Sequence, residues 1–349
     1  MPRAPSLPIA LDLFCGCGGL THGLKQAGFR VIWAVDEDGL AVETYRANHP
    51  EVLVRETDIR LLDAAEMRKE LGLRVGDLDL LAGCPPCEGF STLRTLNGSK
   101  QVREARNDLV FDFLRFARAF KPRTIMLENV PALAEDRRFA VLLASLGEMG
   151  YRTEQKVLNV ADYGVPQRRR RLILLASKGP VIPFAVPETN RRTVRDAIGA
   201  LPPVGRSGDA LHDRRSRPRK PKVRGLIRAI PANGGSRSAI DGRKQLKCHR
   251  GFDGFRDIYG RMAWDDVAPT ITSGCVNPSK GRFLHPVRHR AITLREAALL
   301  QAFPRGYFIS LRRGKYAAAD LIGNALPPEF VRRHALSIIA HLRRRGGRS

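Results

Sequence analysis

At 349 residues the chain is long enough to bury a full core and to divide into two domains, one large and one smaller. Its 60 Lys+Arg against 35 Asp+Glu leave a formal charge of +25, more than solubility needs, so a polyanion is the expected partner. An apolar run of about 18 residues is lacking and no basic stretch has a clean amphipathic face, which sets membrane association aside in favour of nucleic acid; the six cysteines and the apolar start broken by Asp12 predict a reducing, cytoplasmic setting rather than a secreted one.

From the start to about residue 178, short apolar runs alternate with helix-like stretches. Ile9 to Phe14, Val31 to Asp36, Leu78 to Gly83, Thr124 to Asn129 and Arg171 to Ser177 read as strands, and the alternation predicts an α/β fold with a parallel, doubly wound sheet. The first strand runs into Phe14-Cys15-Gly16-Cys17-Gly18-Gly19-Leu20, a glycine turn opening a helix that Gly28 can end. Such a turn lets a ligand approach the backbone, although it is not the dinucleotide G-x-G-x-x-G. Asp36 closes the second strand about 20 residues on, where a carboxylate can accept both hydroxyls of a ribose. The pair implies a nucleoside-bearing cofactor; a tight turn with an incidental surface Asp is the alternative.

Gly83-Cys84-Pro85-Pro86-Cys87-Glu88-Gly89-Phe90 follows the next strand. Its two prolines continue neither helix nor ladder, so Cys87 is presented at the carboxyl edge of the sheet, where open α/β sheets do their chemistry. A presented thiol suggests a nucleophile, while Cys84 and Cys87 together also read as a redox or zinc C-x-x-C pair. The stretch from Ser91 to Arg106, rich in Gly, Ser, Lys and Arg, is a candidate lid. Asn107-Asp108 can cap a helix through Leu109, Phe113, Leu114 and Ala117. Glu128, in Leu127-Glu128-Asn129-Val130, sits at the same edge as Cys87, either as a second catalytic group or as a solvated strand end. In Gln167 to Arg171, alternation sends Arg169 and Arg171 to one face and Arg168 and Arg170 to the other.

After Lys178 the texture turns to Pro, Gly and basic residues: residues 187–260 hold 18 Lys+Arg against 7 Asp+Glu, which marks a separate module. Residues 214–224 carry seven basic side chains in eleven positions and are a solvated basic loop or a phosphate-contacting strip. Regular patterning returns at Leu294 to Phe303 and Asp320 to Leu342, and this last part is expected to fold back onto the first domain.

In order, these blocks resemble the DNA cytosine-5 methyltransferase family. They are the Asp12-Leu13-Phe14 glycine turn, the acidic end of the second strand, Asp58-Ile59, Pro85-Pro86-Cys87, Glu128-Asn129-Val130, Gln167 with Arg169 and Arg171, Arg295-Glu296-Ala297-Ala298 with Leu300-Gln301, and Gly323-Asn324, spread over roughly residues 9–330. The resemblance implies a Rossmann-like methyltransferase sheet over 1–186, completed by 320–349, with a target-recognition domain at 187–285 and a hinge at 286–319. It implies that the Cys87 thiolate adds to C6 of a flipped-out cytosine, activating C5 for the methyl of S-adenosyl-L-methionine. Glu128 would then serve N3 and the 4-amino group and Arg171 O2, with Arg169 beside them as a catalytic residue. For the cofactor it implies Phe14 against adenine, Asp36 on the ribose, Asp58 near the adenine amino group, backbone from Gly16, Gly18 and Gly19, further contacts from Ile59 and Pro85, and Asn324 at the methionine end. Double-stranded DNA would meet Ser91, Arg106, Gln167 and Arg168. No metal is implied, the simplest assembly is a monomer, and a separate cognate restriction endonuclease would fit the family's habit.

Two positions depart from the family pattern: Cys84 stands where Gly is usual, and Glu88 where Gln usually follows the nucleophile. A carboxylate beside Cys87 opposes thiolate formation, which predicts slower turnover or a shifted pH optimum. Three other readings stay open at this point: a zinc or redox cluster of Cys15, Cys17, Cys84 and Cys87; a catalytically silent DNA-binding protein; and an RNA cytosine-5 methyltransferase. The Cys-Phe-Thr signature of the tRNA-modifying branch is not found.

Overall fold

The computed structural model describes residues 7–86, 108–214, 219–241 and 257–346. Cys87, Glu88, Ser91 and Arg106, together with the expected lid, lie outside the described residues. The chain forms two compact units, one of residues 1–159, 170–187 and 328–349 and one of residues 160–169 and 188–327.

The first unit is built on a seven-stranded sheet in the order β3-β2-β1-β4-β5-β7-β6. Its strands are β1 (Ile9–Leu13), β2 (Arg30–Asp36), β3 (Leu53–Glu56), β4 (Leu80–Gly83), β5 (Thr124–Asn129), β6 (Arg152–Asn159) and β7 (Arg170–Ser177). Strands β1 to β5 pair in parallel, but β7 is antiparallel to both β5 and β6, so the sheet is mixed rather than wholly parallel. The reason is local: the link from β6 to β7 covers only residues 160–169, shorter than the crossover of a dozen or more residues that a parallel return needs.

Between the strands lie α1 (Gly19–Ala27), α2 (Gly39–Asn48), α3 (Ala64–Glu70), α4 (Leu109–Phe120) and α5 (Arg137–Glu148). Helix α4 carries an apolar stripe at Leu109, Val110, Phe113, Leu114, Phe116, Ala117 and Phe120, all buried, and lays it against Leu11, Leu13, Trp33, Val35, Leu81, Ile125 and Leu127. Trp33 stacks on Phe116 at 6.0 Å between ring centroids. The alternate strand residues Ala10, Asp12, Ala34, Ala82, Met126, Ile173 and Leu175 are buried as well, as expected of strands covered on both faces.

Helix α1 ends at Gly28 in the left-handed conformation, φ 104°, where a side chain would be strained. The closing helix, α11 (Pro328–Gly346), packs directly on α1: a β-carbon at Gly23 would stand 2.4 Å from the Pro328 carbonyl oxygen and 2.5 Å from Val331 Cβ.

The second unit contains the short helices α6 (Val194–Ile198) and α7 (Ala210–Asp213), then α8 (Pro221–Ala229), α9 (Leu294–Leu300) and α10 (Gly314–Asn324). A satellite core joins Leu226, Ile227 and Ile230 to Tyr259 and Leu284. Buried Arg261 donates to the carbonyls of Ile227, Ile230 and His285 at 2.8–3.1 Å, so one guanidinium satisfies carbonyls at the α8 end and ties them to the distant His285. Helix α9 opens on a capping box between Thr293 and Glu296, and Glu296 also takes both guanidinium nitrogens of Arg290 at 2.6 Å.

Candidate active site

The carboxyl edge of the parallel strands carries the candidate site. After β1 the chain turns sharply: Phe14 has φ 60°, Gly16 53° and Gly18 90°, and α1 begins at Gly19. Positive φ at Phe14, a non-glycine, marks a held conformation of the kind found at ligand sites. The turn is tied to the end of β2, where Cys15 N donates to the Val35 carbonyl at 3.0 Å and Gly16 N to Asp36 Oδ2 at 2.8 Å. Asp38 N occupies Asp36 Oδ1 at 2.9 Å. Burial pushes the Asp36 carboxyl up, against the pull of these two backbone donors. Each carboxylate oxygen retains a second lone pair, so a vicinal diol fits the site left beside the turn.

Asp58 caps the short turn Ile59–Leu61 and is gripped by Arg60, whose side-chain hydrogen bonds hold its carboxyl below the usual range. Ile59 is buried in the main core. Beneath the turn, Asp12 is 1% exposed; its Oδ2 accepts from Thr21 at 2.7 Å, and its Oδ1 has no hydrogen-bond partner among the described residues.

Strand register brings several of the expected site residues together. Asp12 pairs with Ala82, Ala82 with Met126 and Met126 with Leu175. Period-two alternation then puts Asp12, Cys84, Glu128, Ile173 and Arg171 on one face. Glu128 Oε1 meets Arg171 Nε at 2.7 Å, with side chains 9% and 15% exposed. The half-buried Cys84 stands next to Glu128 on this face, where the carboxylate acts on its thiol, while its backbone N bonds the Leu13 carbonyl at 3.2 Å. Asn129, which sequence reasoning quoted only as part of a block, has a positioning role: its Nδ2 donates to the Pro85 carbonyl at 2.9 Å and its Oδ1 accepts from Val130 N. That clamp fixes the turn leading to Cys87. The sequence signal was an amide directly after the strand-end carboxylate, a group with both donor and acceptor.

Within the second unit, Gln167 is fully buried. Its Nε2 donates to Gln301 Oε1 at 2.7 Å and its Oε1 accepts from Ile271 N at 2.7 Å. Arg169 is buried too and donates to the carbonyls of Ile271 and Gly323 at 3.1 and 2.7 Å. Gln301 reaches the Ile322 carbonyl at 2.6 Å. Gly323 is required by close approach, since a β-carbon there would lie 2.4 Å from Ser273 N. These contacts lock three separated sequence blocks into one internal network and leave the exposed side chains of Arg168 and Asn324 at its surface. Elsewhere in this unit a cavity of about 400 Å³ is lined by Arg214, Arg219, Arg224, Arg228 and Lys315 over apolar Leu211 and Ile227.

The profile of the C-5 cytosine-specific DNA methylases matches residues 10–340. The chain belongs to that family. Among similar proteins, the methylase is 38% identical to the Type II methylase M.HgiDII of Herpetosiphon aurantiacus, over 94% of each chain. It is 32% identical to the Type II methyltransferase M.XorII of Xanthomonas oryzae, over 97% of this chain and 86% of that one. The solved methyltransferase EhMeth of Entamoeba histolytica shares the fold with a TM-score of 0.65 at 15% identity, covering 97% of this methylase and 99% of that chain. No helix among the described residues is long and apolar enough to cross a membrane.

Proposed function

We propose that the chain methylates C5 of cytosine in double-stranded DNA within a defined sequence context, and that the observation carrying this reading is the Glu128–Arg171 pair beside the Pro85-Pro86 turn at the sheet edge. Cys87, next after that turn in sequence, is assigned the attack on C6. Electron density pushed into the ring collects at N3 and O2, and Glu128 and Arg171 present a carboxyl and a guanidinium to those atoms. Arg171 cannot lose its proton, so it acts as a fixed positive charge, while Glu128 is the group that can share one. Their mutual ion pair preorients both, so little reorganisation accompanies base entry.

S-adenosyl-L-methionine supplies an electrophilic methyl on a sulfonium. Asp36, with its unused lone pairs, and the backbone of Gly16, Gly18 and Gly19 are assigned to hold it, with Phe14, Ile59 and Pro85 as apolar contacts and Asp58 and Asn324 at its two ends. The target-recognition role is assigned to residues 187–285. There Arg214, Arg219, Arg224 and Arg228 line the basic cavity and pair with no carboxylate among the described residues, an arrangement suited to phosphates. Arg168 and the stretch containing Ser91 and Arg106 are further DNA contacts in this reading. Work in the bacterial cytoplasm as a monomer, alongside a separate restriction endonuclease, accords with the Type II names of the relatives.

Base-resolution bisulfite sequencing of DNA from a methylation-deficient bacterium expressing the chain tests the proposal, with Cys87→Ala as control. Protection of cytosines in one context, lost in the control, is the expected result. Unprotected DNA from well-expressed wild-type protein overturns it in favour of a silent binder or an RNA enzyme.

A further inference from the structure

We propose that Cys84 is a positioning residue for methyl transfer, its thiol holding the Glu128 carboxylate from the side opposite Arg171 in the orientation that meets the base. The inference rests on the assignment of Glu128 under the proposed function. Three observations converge on it. Register puts residue 84 beside residue 128, because Gly83 pairs with Leu127 on the preceding rung. The backbone at this point is fixed in place: Cys84 N is bonded to the Leu13 carbonyl, and at Gly83 a β-carbon would lie 2.8 Å from that same oxygen and 3.0 Å from Phe113. The Glu128 carboxylate acts electrostatically on the Cys84 thiol more strongly than any other charged group around it.

Chemistry then fixes the direction of the bond. A carboxylate only accepts, so the sulfur must donate. Burial first, and then the negative charges of Glu128 and Asp12, push the Cys84 thiol well above its ordinary range, against the pull of the Arg171 charge. Cys84 therefore stays an S–H donor and is unsuited to being a nucleophile or a thiolate ligand, which separates its role from that of Cys87 three residues on. Glu128 is consequently held between a fixed cation and a weak donor, with its remaining lone pairs free for substrate. Glycine, the residue the family pattern would place here, offers no such donor.

Purified Cys84→Ala and Cys84→Ser variants, assayed for steady-state methyl transfer to DNA, test the idea, with Glu128→Gln run in parallel. Serine keeps a donor and alanine removes it. Loss of a weak charge-assisted bond to a catalytic group lowers kcat by about tenfold in the alanine variant. KM for DNA stays within about twofold, because the bond acts on the group that stabilises the reacting base rather than on duplex binding. The serine variant, which retains the donor, stays within about twofold of the wild-type kcat. Equal losses in both variants, no loss in either, or a rise in KM at constant kcat each overturn the proposal. A thermal melt matching wild type shows that a slow alanine variant is folded; if it is not, the serine variant decides, and a slow serine enzyme that melts like wild type overturns the proposal. Full activity of Glu128→Gln would instead overturn the parent assignment, whereas an inactive Glu128→Gln with a wild-type Cys84→Ala removes only the role of Cys84.

Discussion

Asp12→Asn should make the protein more stable, and by an amount that grows with pH. The carboxyl is 1% exposed, one of its oxygens has no partner among the described residues, and its compensation comes from Thr21, through the backbone N–H and a hydroxyl that is itself 2.7 Å from Tyr45. Burial, reinforced by the charge of Asp36, pushes this carboxyl up from 3.8 to about 7 despite the bond from Thr21. In the unfolded chain Asp12 releases its proton near pH 4, whereas the folded protein retains it to neutrality, so between those values the native state binds more protons and loses stability as pH rises. Each decade is worth about 1.4 kcal/mol, which sets a ceiling of about 4 kcal/mol once the group is ionised. Asparagine keeps an acceptor for Thr21 without the charge. Urea unfolding of both proteins at pH 5, 6, 7 and 8 measures the difference, which should widen by roughly 2–3 kcal/mol across that range. A difference constant with pH would show that the buried carboxyl is already compensated and refute the reasoning.

Arg171→Ala leaves Glu128 buried without its cation, which should cost about 3–5 kcal/mol by urea unfolding and abolish methyl transfer in a tritiated-methyl assay. Gly23→Ala forces a β-carbon into Pro328 and Val331, and a loss of roughly 1–3 kcal/mol is expected in the unfolding midpoint. Replacing Arg224 and Arg228 together by alanine should weaken binding alike on all sequences and lower the slope of log K against log salt by about 2, with the methylated context unchanged in bisulfite reads. Glu88→Gln should speed turnover or move its pH optimum; identical rates and profiles would show that the acid beside Cys87 is without effect.

The strands read directly from the sequence, β1, β2, β4, β5 and β7, are those buried on both faces, where continuous apolar runs leave little ambiguity. The two that escaped notice lie at the sheet edges: Leu53–Glu56 is short and half charged, and Arg152–Asn159 is largely polar along its length. The reversal of β7 was legible in principle from the short stretch before it. Glu128 and Arg171 could be named in advance because each falls in a motif. Their 2.7 Å ion pair could not, since it depends on lateral register between strands over 40 positions apart. The same holds for Cys84 against Glu128 and for Asn129 against Pro85. Gln167 shows the opposite difficulty: a motif identifies the residue, but only packing reveals that its side chain bonds inward, to Leu300, Gln301 and Ile271.

Helix α11 closes against α1 although some 300 residues of chain separate them. During synthesis, the surface around Gly23 stays open until Pro328–Gly346 has left the ribosome, so the strand-edge site is assembled on a scaffold completed last. The same late closure makes the methylase a natural candidate for division: a fragment ending near Pro327, supplied with residues 328–346 as a separate peptide, would recover its fold only where both pieces meet.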